Sequence, residues 1–132
     1  MDQRRPRTRL LALDDHTDSA ELIARVAAKI GYDSRTAASP NELRDALGSW
    51  QPEILTIDLS LPGEDGLAVF SLLQQQGFGG HIFIISGHDE CMRRSAGRLA
   101  SAKGLNVAGN LSKPIDLKVL RSLLGELLES RF

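Results

Sequence analysis

Short β-like apolar runs alternate with helical stretches five times along 132 residues, and that alternation is the strongest constraint on the architecture. Connections this short make each crossover right-handed and lay its helix across a face of the sheet. The strands therefore run parallel, with helices on both faces. Apolar runs predict strands at about 8–13, 32–36, 53–58, 81–86 and 106–111. Leu22, Ile23, Val26, Ala27 and Ile30 form one face of a first helix that Gly31 stops. Ser39-Pro40-Asn41-Glu42 has the capping-box pattern of a second, which turns Leu43, Ala46 and Leu47 inward and ends near Trp50. A third carries Leu67, Phe70 and Leu73 to a stop at Gly77, a fourth spans about 89–103, and a fifth carries Leu117, Leu120, Leu124, Leu127 and Leu128. The expected fold class is α/β: a flavodoxin-like (βα)5 doubly wound parallel five-stranded sheet in a three-layer sandwich. Periodicity leaves the strand order open.

One domain of this length buries a sufficient core without disulfide or metal staples. Residues 1–7 read as a flexible basic arm and 8–132 as the domain. With 42% apolar and 25% charged residues and a net charge of −1, bulk charge implies neither nucleic acid nor an acidic membrane as a partner. The basic cluster Arg4, Arg5, Arg7, Arg9 reads as a solvated terminus. A single Cys91 excludes an internal disulfide and points to a reducing cytoplasm. No apolar stretch approaches the roughly 20 residues that a membrane helix needs, and no signal-peptide core follows the arginines.

The chemistry lies at strand ends. Asp14 and Asp15 follow Leu10-Leu11-Ala12-Leu13, and Asp58 follows Ile54-Leu55-Thr56-Ile57. In an open parallel sheet the carboxyl ends of neighbouring strands meet at one edge, where ligands bind. Three carboxylates brought together there repel, and either a raised pKa or a bound cation relieves the repulsion. A hard, oxygen-preferring ion such as Mg2+ suits that donor set. Taken singly, each acid is an ordinary cap or surface carboxylate; the constellation carries the signal.

Asp14-Asp15, Ile57-Asp58-Leu59 followed by Leu61-Pro62-Gly63 and Asp65-Gly66, Ile84-Ile85-Ser86-Gly87, and Lys113-Pro114 together resemble the receiver domain of bacterial two-component response regulators over roughly residues 8–130. The resemblance implies that Asp58 accepts a phosphoryl group from a sensor histidine kinase or phosphotransfer protein in a Mg2+-dependent step. It implies Asp15, Asp58 and the backbone carbonyl of Ser60 as direct Mg2+ ligands, with Asp14 acting through water. Lys113 and Ser86 would each contact a phosphoryl oxygen, the Lys113-Pro114 bond would be cis, and Ser60 and His88 would tune water access. A cytoplasmic protein is implied, with a conformational switch that acts on an output domain or separate partner and a homodimer through the face of the fourth and fifth helices. Residues 98–107 and 110–117 look like receivers fused to EAL-type cyclic-di-GMP phosphodiesterases, although no Glu-Ala-Leu sequence occurs in the chain.

Asn110 stands where receivers commonly carry a switching aromatic, and the segment between Ser86 and Lys113 is longer than usual. The rival reading is a pseudo-receiver, an interaction module indifferent to phosphorylation. An aspartyl phosphohydrolase is disfavoured because Ser60 occupies the position of its second aspartate, and a serine hydrolase because Ser86 lacks the glycines of a nucleophile elbow. His16, His81 and His88 fall on three elements without ligand spacing and read as no transition-metal site.

Overall fold

The computed structural model describes residues 7–59, 65–87 and 90–130, and the side chains of 65–67, 90–93 and 130 lie outside that description. Among the described residues five strands and five helices alternate: β1 (Arg9–Leu13), α1 (Thr17–Lys29), β2 (Asp33–Ala37), α2 (Pro40–Ser49), β3 (Ile54–Asp58), α3 (Asp65–Gln75), β4 (His81–Ser86), α4 (Glu90–Ala102), β5 (Asn106–Ser112) and α5 (Leu117–Ser130). All strand pairs are parallel. Their order is β2-β1-β3-β4-β5, the flavodoxin-like order, so the chain reverses its winding direction between β1 and β3. The crevice at that reversal collects whatever stands at the carboxyl ends of β1 and β3.

The strand pleat explains the two cores. Alternate residues point to opposite faces, so Leu11, Leu13, Leu55, Ile57, Ile82 and Ile84 pack with Leu43 of α2, Val69, Phe70 and Leu73 of α3 and Ala100 of α4. Leu10, Ala12, Ile54, Phe83 and Ile85 pack on the other side with Ala20, Ile23, Val26 and Ala27 of α1 and Leu120 and Leu124 of α5. Both faces of β3 and β4 are therefore covered, which accounts for their continuous apolar sequences. Each fully buried Leu, Ile or Phe contributes roughly 1.5–3 kcal/mol of transfer free energy.

Local chemistry sets the element ends. Ser39 caps α2 by accepting the Glu42 N–H at 3.3 Å, and Glu42 returns by accepting the Ala38 N–H at 3.1 Å, one residue before the cap. Gly31 and Gly77 follow α1 and α3 with φ of 119° and 68°, conformations open to glycine. One expectation fails on α1: Leu22 is 40% exposed, while Ala20 takes the inward position with Ile23, Val26 and Ala27. A residue one step off the apolar stripe turns about 100° away from it, and the small Ala20 allows close approach to the sheet. Arg9, the last member of the basic cluster, opens β1 within the expected first strand rather than lying in solvent; its guanidinium donates to the Trp50 carbonyl and lies 5.8 Å from the Trp50 ring centre.

An irregularity in β5 sets the position of Lys113. Ile82 pairs with Val107 but Phe83 pairs with Gly109, so Ala108 is an extra residue in the ladder. Gly109 makes room there, because a Cβ at that position would stand 3.2 Å from the Phe83 ring. The shifted register carries Ser112 opposite Ser86, and the Lys113 N–H donates to the Ser86 carbonyl at 2.9 Å.

Candidate functional site

At the carboxyl edge of the sheet, Asp14 and Asp15 come directly after β1, β3 ends in Asp58, and β5 runs into Lys113. Asp58 is fully buried, and the Lys113 ammonium meets its Oδ2 at 2.5 Å from a position 25% exposed. A charge pair with one partner enclosed gains more from contact than a surface pair, because less water screens it. The peptide bond between Lys113 and Pro114 is cis. Ser86 is buried at the end of β4, next to Ile85, which pairs with Asp58 across the ladder.

Asp14 is buried with its Oδ1 accepting the His16 N–H at 2.9 Å, an Asx-type turn that closes the loop into α1. Its Oδ2 is also buried and has no hydrogen-bond partner among the described residues. Burial pushes the Asp14 carboxyl above the ordinary carboxylate value; the His16 N–H opposes this, the Asp58 charge adds to it, and Lys113 draws it back. Asp15 is exposed at the rim.

Ligand atoms of Asp14, Asp15, His16 and Asp58 all lie within 4.8 Å of one another. The residues present fit a hard divalent cation: oxygen donors from two strand ends converge, and one enclosed carboxylate oxygen lacks any other partner among the described residues. Ser60 and His88 lie outside the described residues, so the carbonyl expected from the first and the water access expected from the second are not placed.

One feature of the site escapes a reading of the sequence. Spacing gives no reason to single out His16 among the histidines, yet its Nδ1 stands 3.2 Å from an Asp15 carboxylate oxygen and 3.5 Å from Asp14 Oδ1. Adjacency to an acidic pair is the available signal, but the turn that folds the ring back over the acids is a three-dimensional property. His81, by contrast, opens β4 at the opposite edge of the sheet. Gly87, read in the sequence together with Ser86, stands beside Lys113: a Cβ there would lie 4.0 Å from the Lys113 side chain. Asn110 is exposed on β5 and lines a shallow surface groove with Arg94, Arg98 and Val107 of the α4 and β5 region.

The response regulator receiver domain family matches residues 10–125. The chain is 29% identical over 120 residues to "Response regulator MprA" of Mycolicibacterium vanbaalenii, covering 91% of this chain and 50% of that one. It is 30% identical over 120 residues to the protein of the same name in Mycobacterium tuberculosis, with the same 91% and 50% coverage. It thus spans about half the length of the curated relatives it matches. Among solved structures, a response regulator from Colwellia psychrerythraea superposes with a TM-score of 0.84 at 28% identity, covering 95% of this chain and 99% of the other. Among the described residues no helix is long and apolar enough to cross a membrane.

Proposed function

Because the chain belongs to the response regulator receiver domains, phosphoacceptor signalling modules rather than enzymes acting on an external substrate, we propose that Asp58 accepts a phosphoryl group from the phosphohistidine of a sensor histidine kinase or phosphotransfer protein. The observation that supports this most is the contact of the Lys113 ammonium with a fully buried Asp58 beside two further carboxylates.

The Asp58 oxygen attacks phosphorus, the P–N bond to the donor imidazole breaks, and the imidazole leaves with the electron pair. Phosphoryl transfer of this kind needs in-line placement and charge neutralisation more than acid–base work. Lys113 waits on the acceptor and can follow the new phosphoryl oxygens. Ser86, one residue beyond the β4 partner of Asp58, offers a hydroxyl to another oxygen. Asp14, Asp15 and Asp58, with the Ser60 carbonyl that the family likeness adds, would hold Mg2+, which when bound supplies positive charge to the phosphoryl oxygens.

A phosphoryl group adds about −1.5 to −2 of charge, and recruitment of Ser86 and Lys113 toward it is the two-state element that would alter the α4, β5 and α5 face. That face would meet a second copy, a following domain or a separate partner in the cytoplasm. A cyclic-di-GMP phosphodiesterase output rests on the likeness of residues 98–107 and 110–117 to EAL-linked receivers alone.

Incubation with acetyl phosphate and Mg2+, followed by intact mass, should show one added phosphoryl group that Asp58→Asn loses. One observation favours the rival interaction module: Asn110 supplies no aromatic ring to swing inward. An unmodified mass under saturating Mg2+, with both acetyl phosphate and a phosphohistidine donor, would establish that rival instead.

A further inference from the structure

His16 occupies the N-cap of α1, where a Ser, Thr or Asp side chain would satisfy a free helix N–H. Its own side chain makes no capping hydrogen bond. The imidazole turns back over the acids instead, with Nδ1 at 3.2 Å and 3.5 Å from oxygens of Asp15 and Asp14. A first-row ion bound at roughly 2.0–2.2 Å by nitrogen and oxygen holds neighbouring donor atoms about 3.0–3.6 Å apart. Both separations therefore match the edges of one coordination polyhedron.

A hydrogen bond to Asp15 alone would explain the shorter distance. The Asx turn, in which Asp14 Oδ1 accepts the His16 N–H, accounts for the longer one. Neither contact supplies a partner to the other oxygen of Asp14, a residue 2% exposed, whose Oδ2 is unpartnered among the described residues in the same cluster. Resting on the reading of this pocket as a divalent-cation site, we propose that His16 is an additional, nitrogen ligand that makes it a site for imidazole-preferring transition ions such as Co2+ or Zn2+ as well as Mg2+. Carboxylate oxygens suit Mg2+, whereas an imidazole adds affinity for Co2+ and Zn2+ and little for Mg2+. The Asx turn at Asp14 fixes the His16 backbone beside the pocket, within reach of its ring.

The test is direct titration of the tag-free full chain with Co2+ and with Mg2+, with Zn2+ competed against Co2+, in wild type and His16→Ala. His16 is largely exposed, so the variant keeps the fold, and an unchanged circular dichroism melt confirms it. Co2+ affinity should fall by about tenfold or more on loss of the ring. The Co2+ visible absorption should shift with it, and Mg2+ affinity should stay within about twofold. Equal Co2+ affinity and spectrum in both proteins, with Mg2+ binding intact, would overturn this assignment and leave the phosphoacceptor reading standing. Absence of Mg2+ and Co2+ binding in wild type would overturn the cation site itself, and this assignment with it.

Discussion

Replacing Asp14 by Asn should stabilise the metal-free protein at neutral pH. Asp14 and Asp58 offer ligand atoms within 4.8 Å of one another, and two unit charges at that distance repel by roughly 3.5 kcal/mol at an effective dielectric constant near 20. Attraction to Lys113 reduces the relief that Asn brings to about 1–3 kcal/mol. The Asn carbonyl can still accept the His16 N–H, so the turn into α1 survives. Each kcal/mol moves Tm by about 3–6 °C in a domain of this size. The sign with pH comes from the raised folded-state pKa of Asp14. Its contribution to stability is fully present below the unfolded carboxylate value and is lost as pH rises through the folded value. The advantage of Asn should therefore vanish in acid, grow through the folded-state pKa and level off above it. Thermal melts from about pH 3 to 8 in chelator read this directly, and saturating Mg2+ should raise the Tm of wild type more than that of the variant. An advantage greatest in acid, or none at neutral pH, would refute the repulsion argument.

Lys113→Met keeps the aliphatic stem but strips the fully buried Asp58 of its ammonium, so metal-free stability should drop by about 2–4 kcal/mol in urea melts; an unmoved midpoint would mean the pair contributes nothing. Gly80→Ala drives a Cβ to 1.9 Å from the Glu53 carbonyl oxygen, where His81 begins its pairing with β3. A loss of about 1–3 kcal/mol should result, whereas Gly79→Ala, with nothing within 4 Å, should be close to neutral.

The fold and the acidic edge are legible because both are written in local pattern. The limits of β4 can be read to the residue from its unbroken apolar run, and the start of α2 from its Ser39 cap, since strand burial and cap chemistry act within a few neighbours. Asp14, Asp15 and Asp58 announce themselves by standing where apolar runs stop. Leu22 departs from its expected face because periodicity assigns a face without knowing how closely the helix lies against the sheet, and there a small Ala20 is favoured over a larger neighbour.

Sequence alone was enough to establish an α/β alternation with charged residues at strand ends, because hydrophobic period and turn chemistry are properties of short segments. Which strands became neighbours, how Ala108 displaced the ladder so that Lys113 arrives at Asp58 from 55 residues away, and where the His16 ring points were settled by long-range packing. Contacts of that kind depend on register and on the space between layers, and no window of residues contains either.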